Sequence, residues 1–428
     1  MSGKRMKCSL IGQTLGHSYS PQIHEYLNEY LPDEKKYTYD LTELPPESVG
    51  DFLKNGDFDA LNVTIPYKQT VIPYCAEISE TAERIGSVNT ITRLPDGRLR
   101  GDNTDYYGFR YMLEQAKIAV SGMKVLILGS GGSSLTAQAA VADMGAREVV
   151  VISRSGENNY TNLHLHADAD VIINTTPVGM YPNNGVTPID LAVFPALSGA
   201  ADIIYNPPKT KLLLDADEKG IANTNGLSML VAQAKSAAEK FTNHAIDDAA
   251  VDAITRKLAF QMKNIILIGM PGGGKTTVGR IIASRLNRKF IDTDAAIAEK
   301  AGKTIPAIFA ESGEATFREL ETAAIDEAGK ASSQVIATGG GIVTQERNFP
   351  RLLQNATVIF LDRNIDDLPT DNRPLSSKST LPQMYAKRLP LYEKASHVRI
   401  KVTGNPDETA DEIIKILTAD TTQTITQT

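Results

Sequence analysis

Residues 265–276 read IILIGMPGGGKT, and the run VGRIIASRL follows at 278–286. A short apolar run, a glycine-rich turn and an amphipathic stretch predict strand, loop and helix in that order. Residues 269–276, GMPGGGKT, match G-x-x-x-x-G-K-[ST] in full, in the strand-to-helix context the motif needs. The glycines let the backbone curl until its N–H groups point inward, where phosphate oxygens can accept from them. Lys275 brings a point charge to the β- and γ-phosphates, and Thr276 a hydroxyl for Mg²⁺. The stretch specifies a nucleotide on an α/β fold. It leaves the acceptor open.

Strand-like runs alternate with helical stretches on both sides, the pattern of a parallel α/β protein. KVLILG, EVVVISR, DVIINT and ADIIYN lie before the loop, and KFIDTD, QVIATGG and TVIFLD after it. Residues 227–240 and 247–260 are helix-like, and no Gly/Ser linker separates them from the second half. The Thr- and Gln-rich tail from Thr418 has little to bury and is predicted to be disordered.

At 428 residues the chain is too long for one ordinary domain, and about three are expected. Apolar residues make up 42% and charged residues 22%, which excludes disorder, collagen and a simple coiled coil. No apolar run is long enough to span a bilayer, and no apolar stretch follows the basic N-terminus. Two cysteines, Cys8 and Cys75, argue against a disulfide scaffold or a cysteine zinc site. Residues 1–258 carry 23 basic against 31 acidic side chains, and 259–428 carry 21 against 20. Neither half has the basic excess of a nucleic-acid binder. The expectation is a soluble cytoplasmic protein with two differently built halves.

In the first half, KVLILGSGGSSLTAQAAVADMGA reads as a strand, a glycine-rich turn at 129–132 and a helix, with the strand VVVISR next. This is a dinucleotide-binding βαβ unit with GSGGSS in place of the strict fingerprint. Taken alone it leaves NAD(P), FAD, a methyl donor and a purely structural turn open. At the end of the second strand stand Ser153, Arg154 and Ser155, where an NAD enzyme usually has an acid. An acid repels a 2′-phosphate, whereas arginine and hydroxyls attract one, so NADP is favoured over NAD.

Ahead of this unit come GQTLGHSYSPQIHEY, NVTIPYK, IGSVNT and GDNTDYYG, which in order and spacing resemble shikimate dehydrogenase over about residues 7–258. The resemblance implies that Ser18 and Ser20 hold the substrate carboxylate, and that Thr64, Asn89, Asp105, Tyr205 and Gln233 contact the substrate or its ring hydroxyls. It makes Lys68 and Asp105 the catalytic pair, with an ammonium suited to donate and retrieve the carbonyl proton. NADP(H) would lie against Glu80, Gly129, Ser130, Gly131, Gly132, Ser133, Ser153, Arg154, Ser155, Ile203 and Gly226. His17 and His24 have no acid or cysteine cluster beside them, and His17 reads as a scaffold residue. Between Ser155 and Val171 the chain is brief, so the usual helix is expected to be an irregular loop.

The second half resembles shikimate kinase over nearly all of 263–417. FIDTD (Asp292, Asp294), FRELE (Arg318, Glu321), GGG at 339–341, NRPL (Arg373) and KRLPLY (Arg388) carry the likeness. By it, ATP would lie on Gly272, Gly273, Gly274, Lys275, Thr276 and Thr277, with Arg373 closing over the phosphates from a lid. Asp294, Arg318, Gly339, Gly340, Gly341 and Arg388 would bind shikimate, Asp294 orienting its 3-hydroxyl, while Thr276 and Asp292 support Mg²⁺. Asp292 and Asp294 can equally cap the following helix. The additional arginine that the family carries upstream of its RPL motif has no counterpart in NIDDLPTDN.

The expected fold class is α/β: a two-lobed dehydrogenase with a Rossmann-like NADP domain, then a P-loop α/β kinase domain with a lid. Residues 1–106 plus 226–258 would form the shikimate-binding lobe, 107–225 the NADP lobe, and 259–428 the kinase, with 418–428 disordered. The expected activity is bifunctional, reducing 3-dehydroshikimate to shikimate with NADPH and phosphorylating shikimate with ATP and Mg²⁺. The expected partners are these small molecules, without nucleic acid or membrane, and the oligomeric state is open. Quinate and another small polyol are the rival substrates. A sensor that kept the folds and lost catalysis should have lost Lys68, Asp105, Lys275 or Asp294, and all four are present.

Overall fold

The computed structural model describes residues 5–16, 18–368 and 381–422, the last three without their side chains. His17 and Arg373 lie outside the described residues. The chain divides into two compact units. One comprises Met1–Val178, Pro188–Tyr205 and Asp215–Thr255, and the other Gly179–Thr187, Asn206–Leu214 and Arg256–Thr428. The segments 179–187 and 206–214, which the sequence assigns to the NADP lobe, thus cluster with the second unit.

The first unit holds two sheets. Strands β1 (Met6–Gly12), β2 (Tyr37–Glu43), β3 (Ala60–Val63), β4 (Glu77–Ile78), β5 (Thr90–Arg93) and β6 (Leu99–Asp102) form a mixed sheet in the order β2-β1-β3-β5-β6-β4. β1 is parallel to both neighbours, and its last five residues, Cys8–Gly12, are buried, as a strand covered on both faces should be. Ile11, Leu61, Val63 and Ile91 pack a core with Tyr67 and Val88 from the following turns.

Strands β7 (Lys124–Leu128), β8 (Glu148–Ile152), β9 (Val171–Asn174), β10 (Gly199–Asp202) and β11 (Ala222–Thr224) form a parallel sheet in the order β11-β10-β9-β7-β8. From β7 the chain goes first to β8 on one side and then to β9 on the other, so strand order reverses at the end of β7. The GSGGSS turn sits at that switch point, where open α/β sheets bind ligands. Between β8 and β9 only the 3₁₀ turn Leu163–His166 interrupts irregular chain. The strand expected in ADIIYN lies earlier, at GAAD. Asp202 ends it, because its buried carboxylate accepts from Asn174 Nδ2 and from the Ile204 N–H, both at 3.0 Å.

In the second unit, β12 (Asn264–Ile268), β13 (Lys289–Asp292), β14 (Gln334–Ala337), β15 (Ala356–Asp362) and β16 (Val398–Lys401) form a parallel sheet in the order β13-β14-β12-β15-β16. Every residue of β12 is buried. Ile266 and Ile268 face one core with Phe360 and Tyr392, and Ile265 and Leu267 face another with Val278 and Ile282. That alternation is the period-2 pattern of a strand between two helical layers. The phosphate loop runs from the end of β12 into helix Lys275–Arg285. The expectation of disorder from Thr418 does not hold for its first residues. Helix Pro406–Thr422 continues past it, with the Thr418 hydroxyl donating to the Ile414 carbonyl at 2.8 Å, and 423–428 lie outside the described residues.

Candidate functional site

In the first unit, Lys68 leaves the turn after β3, where its carbonyl accepts from the Val88 N–H at 2.8 Å. Asp105 opens helix Asp105–Gln115. Lys68 Nζ lies 2.6 Å from Asp105 Oδ2, and the two side chains are 24% and 16% exposed. Asn89 fixes the residue before Asp105: its Oδ1 accepts from the Thr104 N–H at 2.7 Å, and its Nδ2 donates to Thr104 Oγ1 at 3.1 Å. An ammonium held this way, half sheltered from water, can pass a proton to a bound oxygen and recover it.

The Ser20 N–H donates to Ser18 Oγ at 3.2 Å, and the Tyr19 ring between them packs edge-on to Tyr205, with centroids 6.3 Å apart. Thr64 is fixed through its N–H to the Ile11 carbonyl at 2.9 Å. Gln233, on helix Leu227–Thr242, donates to the Leu230 carbonyl at 2.9 Å. That helix lies tightly against helix Asp105–Gln115, since a Cβ on Gly108 would fall 2.5 Å from the Met229 carbonyl. Lys68 and Asp105 thus meet directly, Asn89 reaches Asp105 only by way of Thr104, and Tyr19, between Ser18 and Ser20, packs on Tyr205. Thr64 and Gln233 make no side-chain hydrogen bond to these residues among the described ones.

At the end of β7, Gly129 has φ +108°, and a Cβ there would lie 2.8 Å from Thr175 Oγ1. Ser130 and Gly131 complete the turn, and Gly132 and Ser133 open helix Gly132–Asp143, a helix start that favours an anion. Ser153 follows β8, its N–H donating to the Asn158 carbonyl at 3.1 Å, while Arg154 and Ser155 are exposed. Ile203 donates to the Asn174 carbonyl, and Gly226 to the Ile204 carbonyl, both at 3.1 Å. Glu80 is exposed at the start of helix Glu80–Ile85. It makes no bond to the glycine turn; Arg84 of the same helix ties it to helix Gly132–Asp143 through a two-pronged pair with Asp143.

The second unit contains a cavity of about 500 Å³ with the phosphate loop on one wall and Asp294, Arg318, the Gly339–Gly341 loop and Arg388 on another. Gly272, Gly274, Lys275, Thr276 and Thr277 line it. Gly273 is fixed in the same loop by donating to the Met270 carbonyl at 3.0 Å. Lys275 Nζ donates to the Gly269 and Met270 carbonyls, both at 2.9 Å. Thr276 Oγ1 donates to Asp292 Oδ2 at 2.6 Å. The other oxygen of Asp292 caps helix Thr293–Ala301, accepting from the N–H groups of Asp294 and Ala295. Asp292 therefore caps the helix and meets the loop hydroxyl at once.

Arg318 donates from Nη1 to Glu321 Oε2 and from Nη2 to Glu314 Oε1, both at 2.8 Å. Arg388 donates to the Gly340 carbonyl at 3.1 Å, and Tyr392 to the same oxygen at 2.6 Å. Burial pushes the Asp294 carboxyl above its ordinary value, and the charge of Asp292 adds to the shift against Lys275 and Arg318. Burial also raises Glu321, a fully buried residue, against the pull of Arg318. The site residues read from the sequence do not include Glu321, although its placement three residues after Arg318 on one helix is a usable signal. Nor do they include Arg363, which lines the cavity. Among the described residues, no three His, Cys, Asp or Glu side chains cluster as a metal site, and no helix is long and apolar enough to cross a membrane.

A family model described as the shikimate dehydrogenase substrate binding domain matches residues 10–91, and one described as shikimate kinase matches 271–418. Shikimate dehydrogenase (NADP(+)) of Clostridium perfringens strain 13 is 36% identical over 266 residues, 58% of this chain and 97% of that protein. The crystal structure of a chorismate mutase/shikimate 5-dehydrogenase fusion protein from Clostridium acetobutylicum is 38% identical, with a TM-score of 0.56 over 60% of this chain and 97% of that one. Shikimate 5-dehydrogenase from Thermus thermophilus, solved in complex with NADP(H) and shikimate, is 28% identical, with a TM-score of 0.53 over 59% of this chain and 99% of that one. The chain therefore belongs to the shikimate dehydrogenase family through its first half and carries a shikimate kinase domain in its second, an oxidoreductase and a kinase in one polypeptide.

Proposed function

We propose that the first half reduces 3-dehydroshikimate to shikimate with NADPH and that the second phosphorylates the 3-hydroxyl of shikimate with ATP. The observation that carries this reading is the pairing, within one chain, of the Lys68–Asp105 ion pair with a cavity that joins a phosphate loop to Arg318 and Arg388. The product of the first reaction is the substrate of the second.

In the first half, bound NADPH supplies a hydride to the substrate carbonyl. Lys68 delivers the proton to the carbonyl oxygen and regains one from solvent, and Asp105 holds the ammonium in position. Ser18 and Ser20 hold the substrate carboxylate, and Thr64, Asn89, Tyr205 and Gln233 receive its hydroxyls. The positive φ of Gly129 and the helix start at Gly132 fit a pyrophosphate, and the exposed Arg154 between two serines fits a ribose 2′-phosphate. Glu80, Ile203 and Gly226 are assigned to the NADP(H) site on the resemblance.

In the second half, Arg318 and Arg388 pair with the shikimate carboxylate, as guanidinium forks do. Asp294 accepts the proton of the 3-hydroxyl, and its raised pKa makes it a stronger base than a solvated aspartate. Thr276 and Asp292, 2.6 Å apart, offer the hard oxygens that Mg²⁺ takes alongside substrate phosphates. Arg373 is assigned to the phosphates on the resemblance alone, since it lies outside the described residues. Phosphorus and proton NMR of the kinase product tests the regiochemistry: phosphate on the 3-hydroxyl is expected, and phosphate on another hydroxyl or on none would overturn it.

A further inference from the structure

Arg363 stands just beyond the end of β15 and lines the cavity of the phosphate loop. The Leu361 carbonyl, two residues earlier, abuts that loop: a Cβ on Gly269 would lie 2.5 Å from it, and one on Gly273 would lie 3.7 Å away. Arg363 therefore belongs to the phosphate-loop side of the cavity.

Among the described residues, four basic side chains line this cavity, Lys275, Arg318, Arg363 and Arg388. Lys275 is held by loop carbonyls, Arg318 by two glutamates and Arg388 by the Gly340 carbonyl. Arg363 is half-buried and pairs with no described residue. The acid beside it, Asp362, is already committed to Arg399 at 2.8 Å and to the Tyr385 hydroxyl at 2.9 Å. Residues 364–372, NIDDLPTDN, bring no other basic side chain before Arg373. A guanidinium partly withdrawn from water, without a partner among the described residues, stands ready for an anion from outside the chain.

We infer that Arg363 binds the polyphosphate of ATP and sets nucleotide affinity as a further cation beside Lys275. This rests on the kinase reading and adds to it a residue that neither the motif nor the family likeness assigns. The test uses the full chain and titrates ADP by calorimetry, with steady-state kinase kinetics in parallel. Arg363→Ala should weaken ADP about tenfold and raise the KM for ATP alike, leaving the KM for shikimate unchanged. Arg363→Lys should recover most of the loss, since a point charge suffices for phosphate. An ADP affinity within about twofold of wild type in Arg363→Ala, or a loss that falls on shikimate instead, would overturn the inference. A wild-type chain that binds ADP but leaves shikimate unphosphorylated contradicts the kinase reading, while the ADP comparison still decides Arg363.

Discussion

The ammonium of Lys68 lies 2.6 Å from the carboxylate of Asp105, joining the turn after β3 to the first residue of a helix. The pair is too sheltered for a free surface contact and too open for a core one, the exposure a proton donor to a bound ligand needs. Lys68→Ala should lower the kcat of dehydroshikimate reduction by at least about 100-fold, the range of general acid catalysis. Kinase activity on added shikimate should persist. Loss of both activities in a variant that keeps its circular dichroism spectrum would argue against independent sites.

Gly339 packs directly against Asp294 and Glu321. A Cβ at this position would lie 2.7 Å from both Asp294 Oδ1 and Glu321 Oε1, closer than real contacts allow. Both oxygens are buried, so Gly339→Ala must displace the two carboxylates. The KM for shikimate should rise at least about tenfold, because displacements of about 1 Å are costly in positioned sites. ADP binding should change little. An unchanged KM for shikimate would separate Gly339 from the substrate site.

Burial and Asp292 raise the Asp294 carboxyl, so the group gains its proton at a higher pH than a solvated aspartate. The proposed base works ionised, and kinase activity must fall as pH drops through that raised value. The acid limb of kcat/KM for shikimate should therefore lie above 3.8, the ordinary aspartate value. It is shared with Glu321, which burial raises as well. The native state then binds protons more readily than the unfolded chain, so ionising Asp294 costs stability as pH rises. Asp294→Asn should abolish phosphorylation and raise Tm at pH 7. An acid limb at or below 3.8 contradicts the assignment.

Arg154 should set cofactor preference. Charged hydrogen bonds to phosphate contribute about 1.5–3 kcal/mol, so Arg154→Ala should weaken NADPH by tens-fold and leave NADH nearly unchanged. The comparison is kcat/KM for the two cofactors in both proteins. Equal wild-type values for NADPH and NADH would remove the role given to Arg154.

His24 is fully buried, stacked on Tyr39 with centroids 3.7 Å apart and bonded to the Tyr37 hydroxyl at 2.6 Å. Burial lowers its pKa from 6.5 to about 3. The unfolded chain takes up this proton before the native one, so His24 contributes stability above pH 6.5 that is lost as pH falls from there toward 3. His24→Gln should flatten the dependence of dehydrogenase unfolding on pH between 6.5 and about 4, by up to about one proton. Parallel urea midpoint curves for the two proteins would exclude it as the titrating group.

The legible parts of this chain are those that the backbone dictates locally. GMPGGGKT and GSGGSS both fall at strand ends that lead into helices, because glycine turns followed by helical runs leave few alternatives. β10 is hard to place from sequence because GAAD offers no β-branched pattern. It is held by parallel pairing with β9 and β11, and Gly199 leaves room for Ile118, since a Cβ there would lie 2.7 Å from Ile118 Cγ2. Asp292 reads equally as a cap or as a metal ligand, and only the fold brings its second oxygen to Thr276. Glu321 is visible in FRELE but not assigned to the site, and Arg363 is not singled out, because the roles of both depend on neighbours away along the chain, at Gly339 for the first and at the loop beside Leu361 for the second. Distances between remote segments leave no local mark in sequence.

The most direct test is one reaction containing the full chain, 3-dehydroshikimate, NADPH, ATP and Mg²⁺, with NADPH followed optically and products separated by mass. Shikimate 3-phosphate should accumulate with one NADPH oxidised and one ADP formed per molecule, and omitting ATP should stop the sequence at shikimate. NADPH oxidation without any phosphorylated product when ATP and Mg²⁺ are present, or ATP consumption with dehydroshikimate left unreduced, would contradict the account.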